Sequence, residues 1–127
     1  MRKVLVIEDH TEIRENTCEL LELEGFHPIP AINGKEGIEM AVQHSPDIIL
    51  CDIMMPVSDG YEVFEELKKN TKTASIPFIF LSASVEKKAV EAALLMGVDG
   101  YVSKPFHAHE LFEEIERCLN LKKGSPS

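Results

Sequence analysis

Carboxylates at the ends of buried strands can hold a metal ion or act as nucleophiles, and this chain has three in such places. Asp52 follows the apolar run Ile48-Ile49-Leu50-Cys51, and Glu8-Asp9 follows Val4-Leu5-Val6-Ile7. Ser82 ends a third run, Phe78-Ile79-Phe80-Leu81, and Lys104 comes just after a fourth, Gly100-Tyr101-Val102. Two like charges about 4 Å apart repel by roughly 4 kcal/mol at an effective dielectric near 20, so three carboxylates in one site need compensation. Lys104 offsets one charge. A divalent cation would offset the remainder, and an all-oxygen site with open positions suits Mg²⁺, with Mn²⁺ as a substitute. A carboxylate beside a cation can attack a phosphoryl group to give an aspartyl phosphate. The three equatorial phosphoryl oxygens would then be met by the cation, Lys104 and the Ser82 hydroxyl.

For these residues to meet, the runs must lie side by side. Continuous apolar runs predict strands buried on both faces of a parallel sheet. Helical patterns separate them. Ile13, Thr17, Leu20, Leu21 and Leu23 share one side of a first helix that stops at Gly25. Residues 26–30 form the second strand, and Pro28 and Pro30 put it on an edge because each removes a ladder donor. Asn33-Gly34-Lys35-Glu36 resembles a capping box opening a short helix through Ile38, Ala41 and Val42 to about His44. After the loop 53–60, Tyr61, Phe64 and Leu67 mark a third helix ending on Lys68-Lys69, and 70–75 is a polar connection. A fourth helix spans about 85–96 before Gly97, and Leu111, Phe112, Ile115, Cys118 and Leu119 stripe a fifth. Five strands alternating with five helices imply an α/β fold: a doubly wound (βα)5 parallel sheet of flavodoxin-like order 2-1-3-4-5. That order brings Glu8, Asp9, Asp52, Ser82 and Lys104 to one rim.

The bulk properties narrow the function. The 127 residues suit one domain, here 1–121, with 122–127 a flexible tail or the start of a linker. A net charge of -9 disfavours direct nucleic-acid binding, which depends on Lys and Arg displacing counterions. Cys18, Cys51 and Cys118 are odd in number, lack C-x-x-C spacing and sit among apolar residues, which suggests a reducing compartment. The N-terminal apolar run is too short for a signal sequence or membrane span, so a cytoplasmic protein is expected. No G-x-x-x-x-G-K stretch offers a phosphate cradle for nucleotide hydrolysis. His107 and His109, two apart, do not share a helix face and are not read as metal ligands.

The strand-end motifs together resemble the receiver domain of two-component response regulators, of the chemotaxis-regulator-like kind. Val6-Ile7-Glu8-Asp9, Asp52-Ile53-Met54-Met55-Pro56 with Asp59-Gly60, Ser82-Ala83, and Tyr101 followed by Lys104-Pro105-Phe106 fall in the family's order over about residues 1–121. The resemblance implies Asp52 as phosphoacceptor from a sensor histidine kinase or histidine phosphotransfer protein. It implies Mg²⁺ on Glu8, Asp9, Asp52 and the Met54 carbonyl, with Glu8 acting through water. Lys104 would pair with the phosphate and Ser82 would hydrogen-bond it. Ser82 and Tyr101 would form a switch that alters the face of the fourth helix, fifth strand and fifth helix, and the Lys104-Pro105 bond would be cis. His10, Met54 and Ser84 stand where the family varies and where phosphoryl lifetime is set. The chain would be a monomer or a phosphorylation-dependent dimer. The charged dimer of regulators with winged-helix domains is not expected, since Asp99-Gly100, Val90 and Leu95 stand where its charges would be.

Two other functions compete with this one. A Mg²⁺-dependent phosphatase of the haloacid dehalogenase type also uses an Asp nucleophile, but its D-x-D pattern would need an acid where Met54 stands. A binding adaptor that is never phosphorylated would leave the acidic cluster and Lys104 without a purpose. The expected protein is a signalling domain whose only chemistry is its own phosphorylation and dephosphorylation, not an enzyme acting on other substrates.

Overall fold

The β-branched and aromatic runs form strands, and each stops where the sequence turns polar. In chain order the elements are β1 (Lys3–Ile7), α1 (Thr11–Leu23), β2 (His27–Ala31), α2 (Gly34–His44), β3 (Ile48–Asp52), α3 (Gly60–Lys69), β4 (Phe78–Ser82), α4 (Lys87–Leu95), β5 (Gly100–Ser103) and α5 (Ala108–Lys122). The computed structural model describes residues 2–55, 59–83 and 87–122, without the side chains of 87, 121 and 122. Ser84, the loop centre 56–58, the expected start of the fourth helix at 85 and the tail beyond 122 lie outside the described residues.

All strands are parallel, in the order β2-β1-β3-β4-β5. Because side chains alternate across a strand, each central strand feeds two cores. Leu5, Ile7, Ile49, Cys51, Phe78 and Phe80 face one side, where Ala41 of α2, Val63, Phe64 and Leu67 of α3 and Ala93 of α4 cover them. Val4, Val6, Ile48, Leu50, Ile79 and Leu81 face the other, under Leu21 of α1 and Leu111, Ile115 and Cys118 of α5. Phe64, Phe78 and Phe80 meet edge-on, with ring centroids 5.1 to 6.1 Å apart. Each such fully buried side chain stabilises the fold by about 1.5–3 kcal/mol.

The prolines of β2 are on the border. His27 N–H donates to the Arg2 carbonyl at 2.8 Å, so the odd-numbered residues of β2 face β1. Pro28 and Pro30 therefore point their missing donors away from the sheet, where none is needed.

Four local expectations change. Phe26 is not in β2. Its N–H bonds back to Leu21 O (2.9 Å) and that of Gly25 to Glu22 O (3.0 Å), with Gly25 at φ +91°, a closure of α1 of the Schellman type. Phe26 instead stacks on Phe112 of α5, centroids 6.3 Å apart. Leu23 and Val42, expected on apolar faces, are exposed. Leu23 lies two residues from buried Leu21, about 200° around the helix, and helps line a groove of about 690 Å³ with Ile13, Leu20, Pro105 and Phe106. At the start of α2, Asn33 Oδ1 accepts from Glu36 N–H (2.8 Å), but Glu36 accepts from Ile32 N–H (2.9 Å), so the box closes one residue early. Finally, α5 runs to Lys122, one residue into the expected tail.

Candidate functional site

The sheet register determines which side chains meet. Ile7 pairs with Cys51, Asp52 with Leu81, and Ser82 with Ser103, so the residues one step further on stand abreast at the same rim. The structure brings Glu8, Asp9 and Asp52 together, with ligand oxygens all within 4.8 Å of one another. Lys104 Nζ lies 2.6 Å from Glu8 Oε1 and 3.4 Å from Asp52 Oδ1. The expected compensation is therefore present, but Glu8 holds the ammonium more closely than Asp52 does.

Glu8 is fully buried and every polar group it carries is engaged. Its N–H donates to Ala31 O (3.1 Å), its carbonyl accepts from Arg14 (2.9 Å), Oε1 accepts from Lys104, and Oε2 from His10 N–H (3.3 Å). Asp9 is the opposite case: its Oδ1 is buried with no hydrogen-bond partner among the described residues. A buried acceptor without a donor costs about 1–3 kcal/mol, which a bound cation would offset. Three carboxylates against one ammonium leave excess negative charge, and the donor atoms are hard oxygens. The residues present therefore fit Mg²⁺.

Asp52 is 5% exposed. Burial pushes its pKa up to about 6; Lys104 opposes the rise and the Glu8 charge adds to it. The neighbouring Cys51 thiol is pushed well above its usual value, first by burial and then by the Asp52 charge, so it is inert. Ser82, at the end of β4, is buried, and its carbonyl accepts from Lys104 N–H at 2.7 Å. The Lys104-Pro105 peptide bond is cis.

The loop after Asp52 is anchored by a device the sequence reading missed. Asp59 and Glu62 form a complete capping box at the start of α3, each side chain accepting from the other's N–H at 3.0 and 3.1 Å. The signal was visible as an Asp followed by a Glu three positions on. Gly60 then lets α3 lie against the acceptor strand: its N–H donates to Ile53 O (2.9 Å), and a Cβ there would lie 2.6 Å from the Asp52 carbonyl oxygen. Met54 is 74% exposed. Arg14, also missed, had no signal beyond its place on α1. Tyr101 is half-buried against the core containing Phe80. His107 and His109 do come together, rings 6.3 Å apart and 16° from parallel, because His107 precedes α5. Among the described residues no third metal-binding side chain joins them.

Against known proteins, the family model of the response regulator receiver domain matches residues 4–116. The chain belongs to this family. As a receiver it is part of two-component signalling, and its fold is the flavodoxin-like fold of the chemotaxis regulators. The receiver is 36% identical over 118 residues to the phosphate regulon transcriptional regulatory protein PhoB of Escherichia coli, covering 93% of this chain and 52% of that protein. It is 35% identical over 121 residues to hybrid signal transduction histidine kinase D of Dictyostelium discoideum, covering 95% of this chain and 8% of that one. The chain thus spans about half the length of PhoB and a small part of the kinase. The structure of Vibrio cholerae chemotaxis protein CheY4 superimposes with a TM-score of 0.87 at 25% identity, covering 93% of this chain and 98% of that one. Among the described residues, no helix of the receiver is long and apolar enough to cross a membrane.

Proposed function

We propose that this receiver takes a phosphoryl group from a phosphohistidine of a sensor kinase or phosphotransfer protein onto Asp52. The observation that carries the reading is the Asp52 carboxylate at a strand end, with Glu8 and Asp9 within 4.8 Å and the Lys104 ammonium at 3.4 Å. An Asp52 oxygen attacks phosphorus, the bond from phosphorus to the imidazole nitrogen breaks, and its electron pair stays on the ring. The product is an acyl phosphate. Ionised Asp52 is the reactive form; without metal, burial holds its pKa up at about 6, and a bound cation would favour the ionised form.

Glu8, Asp9, Asp52 and the Met54 carbonyl would hold Mg²⁺, or Mn²⁺ in its place. When bound, the ion supplies counter-charge to phosphoryl oxygens. Lys104 supplies a second positive charge and the Ser82 hydroxyl donates a hydrogen bond. Loss of the phosphoryl group is hydrolysis: water attacks phosphorus, the carboxylate leaves with its electron pair, and inorganic phosphate departs. This self-chemistry is the catalysis assigned to the receiver. The event at Asp52 biases Ser82 and Tyr101 and so alters the α4-β5-α5 surface. Three unpaired cysteines suit a reducing cytoplasm.

Intact-mass measurement after incubation with acetyl phosphate and Mg²⁺ tests this. The expected result is one added phosphoryl group, absent when Mg²⁺ is chelated before acetyl phosphate is added and absent in Asp52→Asn. Full uptake by Asp52→Asn, or none by the natural chain, would overturn the assignment.

A further inference from the structure

β5 has only four residues, and its two ends are tied to different partners. Beyond its C-terminal end, Lys104 donates its N–H to Ser82 O on β4 and places its ammonium on Glu8 and Asp52. Three residues earlier the N–H of Tyr101 has the opposite sense and points off the border of the sheet. There it meets α5: Glu114 Oε2 accepts from Tyr101 N–H at 3.2 Å. Gly100 makes this approach possible, since a Cβ at that position would lie 2.5 Å from the same oxygen. Arg117 locks the carboxylate in place, donating from Nε to Oε1 at 2.9 Å and from Nη2 to Oε2 at 2.8 Å. The same guanidinium donates to the Asp99 carbonyl at 2.7 Å, so α5 holds the strand on both sides of Gly100. Hydrogen bonding from Arg117 keeps the Glu114 carboxyl below its ordinary range, and it stays ionised near neutral pH.

We propose that Glu114 is a positioning residue for Tyr101, gripping β5 in the unphosphorylated receiver and releasing it when the Asp52 site is filled. The inference rests on the phosphoryl switch proposed above and adds the contact that opposes it. A phosphoryl group on Asp52 gives the Lys104 ammonium a new anionic partner in competition with Glu8. Lys104 is bonded through its backbone to Ser82, so a shift of its side chain is felt along β5. The Tyr101 to Glu114 bond, at 3.2 Å, is long for an N–H donated to a carboxylate, and it is the one that yields. A contact made in one state only stabilises that state, and its removal favours the other.

The test compares Mg²⁺-dependent beryllofluoride binding, followed by NMR of the Tyr101 ring, in the natural chain, Glu114→Ala, Gly100→Ala and the double variant. Gly100→Ala displaces the carboxylate while keeping every charge, so it answers the question if Glu114→Ala does not fold. Both single variants should bind about fivefold to tenfold more tightly. The double variant should bind no more tightly than either, because the two changes break one contact. In all three, the Tyr101 signals should be shifted toward their bound positions before beryllofluoride is added. Unchanged or weaker binding in folded variants, or additive effects in the double variant, would overturn the grip. Failure of the natural chain to bind beryllofluoride would instead overturn the phosphoryl reading itself.

Discussion

At the scale of single residues, Asp52 and Asp9 carry opposite kinds of tension. Asp52 is an acid kept buried beside another acid, and its folded-state pKa of about 6 lies above the ordinary 3.8. The folded chain therefore binds this proton more tightly than the unfolded chain does. Without metal, the resulting penalty is absent below about pH 4, grows as pH rises through 6 and is complete above it. Asp52→Asn removes the penalty. In urea unfolding with chelator near pH 8 the variant should be more stable by about 1 to 2 kcal/mol, after allowing for solvent screening, and the gain should vanish near pH 4. An equal gain at both pH values would mean that the carboxyl group is not strained. Asp9, with its unmatched Oδ1, predicts a response to the cation. Thermal melts should rise in Mg²⁺ by an amount equivalent to about 2.7 kcal/mol at a hundredfold excess over the dissociation constant. The rise should largely disappear in Asp9→Asn.

At the scale of elements, the chain was most legible where one residue type has one structural use. Pro28 and Pro30 placed β2 on the border, and the continuous runs gave β1, β3 and β4 within a residue. What was not legible depended on angles around helices and on partners far away in sequence. Leu23 reads as apolar-face until the 200° separation from Leu21 is counted, and Phe26 reads as strand until its N–H is seen closing α1. The stretch 70–75 was expected to be a plain polar connection, yet Thr73 is buried and donates to Leu67 O at 2.6 Å, capping the end of α3. The Asp59 and Glu62 box sits at the other end of that helix, directly after the loop that leaves Asp52. Asp59→Ala should lower unfolding free energy by about 1 kcal/mol in urea titrations. It should leave phosphoryl uptake from acetyl phosphate intact, because the capping bonds lie outside the acidic cluster. Loss of uptake would show that the cap sets the acceptor geometry as well.

At the scale of the whole molecule, the site was legible because it is a property of topology. No two of Glu8, Asp52, Ser82 and Lys104 are near in sequence, but once order 2-1-3-4-5 is accepted their strand ends must converge. Topology does not say how charges divide within the cluster. Only the distances show that Lys104 favours Glu8, and only Gly100 explains how α5 reaches β5. The two lateral margins of the sheet also differ, which limits how copies could join strand to strand. Along β2, prolines 28 and 30 offer an incoming strand carbonyls but no N–H donor at the outward positions, so accretion there is disfavoured. Any annealing must begin at β5, and only after Glu114 gives up the outward N–H of Tyr101, so a molecule that can join at one margin is finished after a single mating. Crowded or partly aged samples of this protein should accumulate pairs and stop, without running on into fibrils.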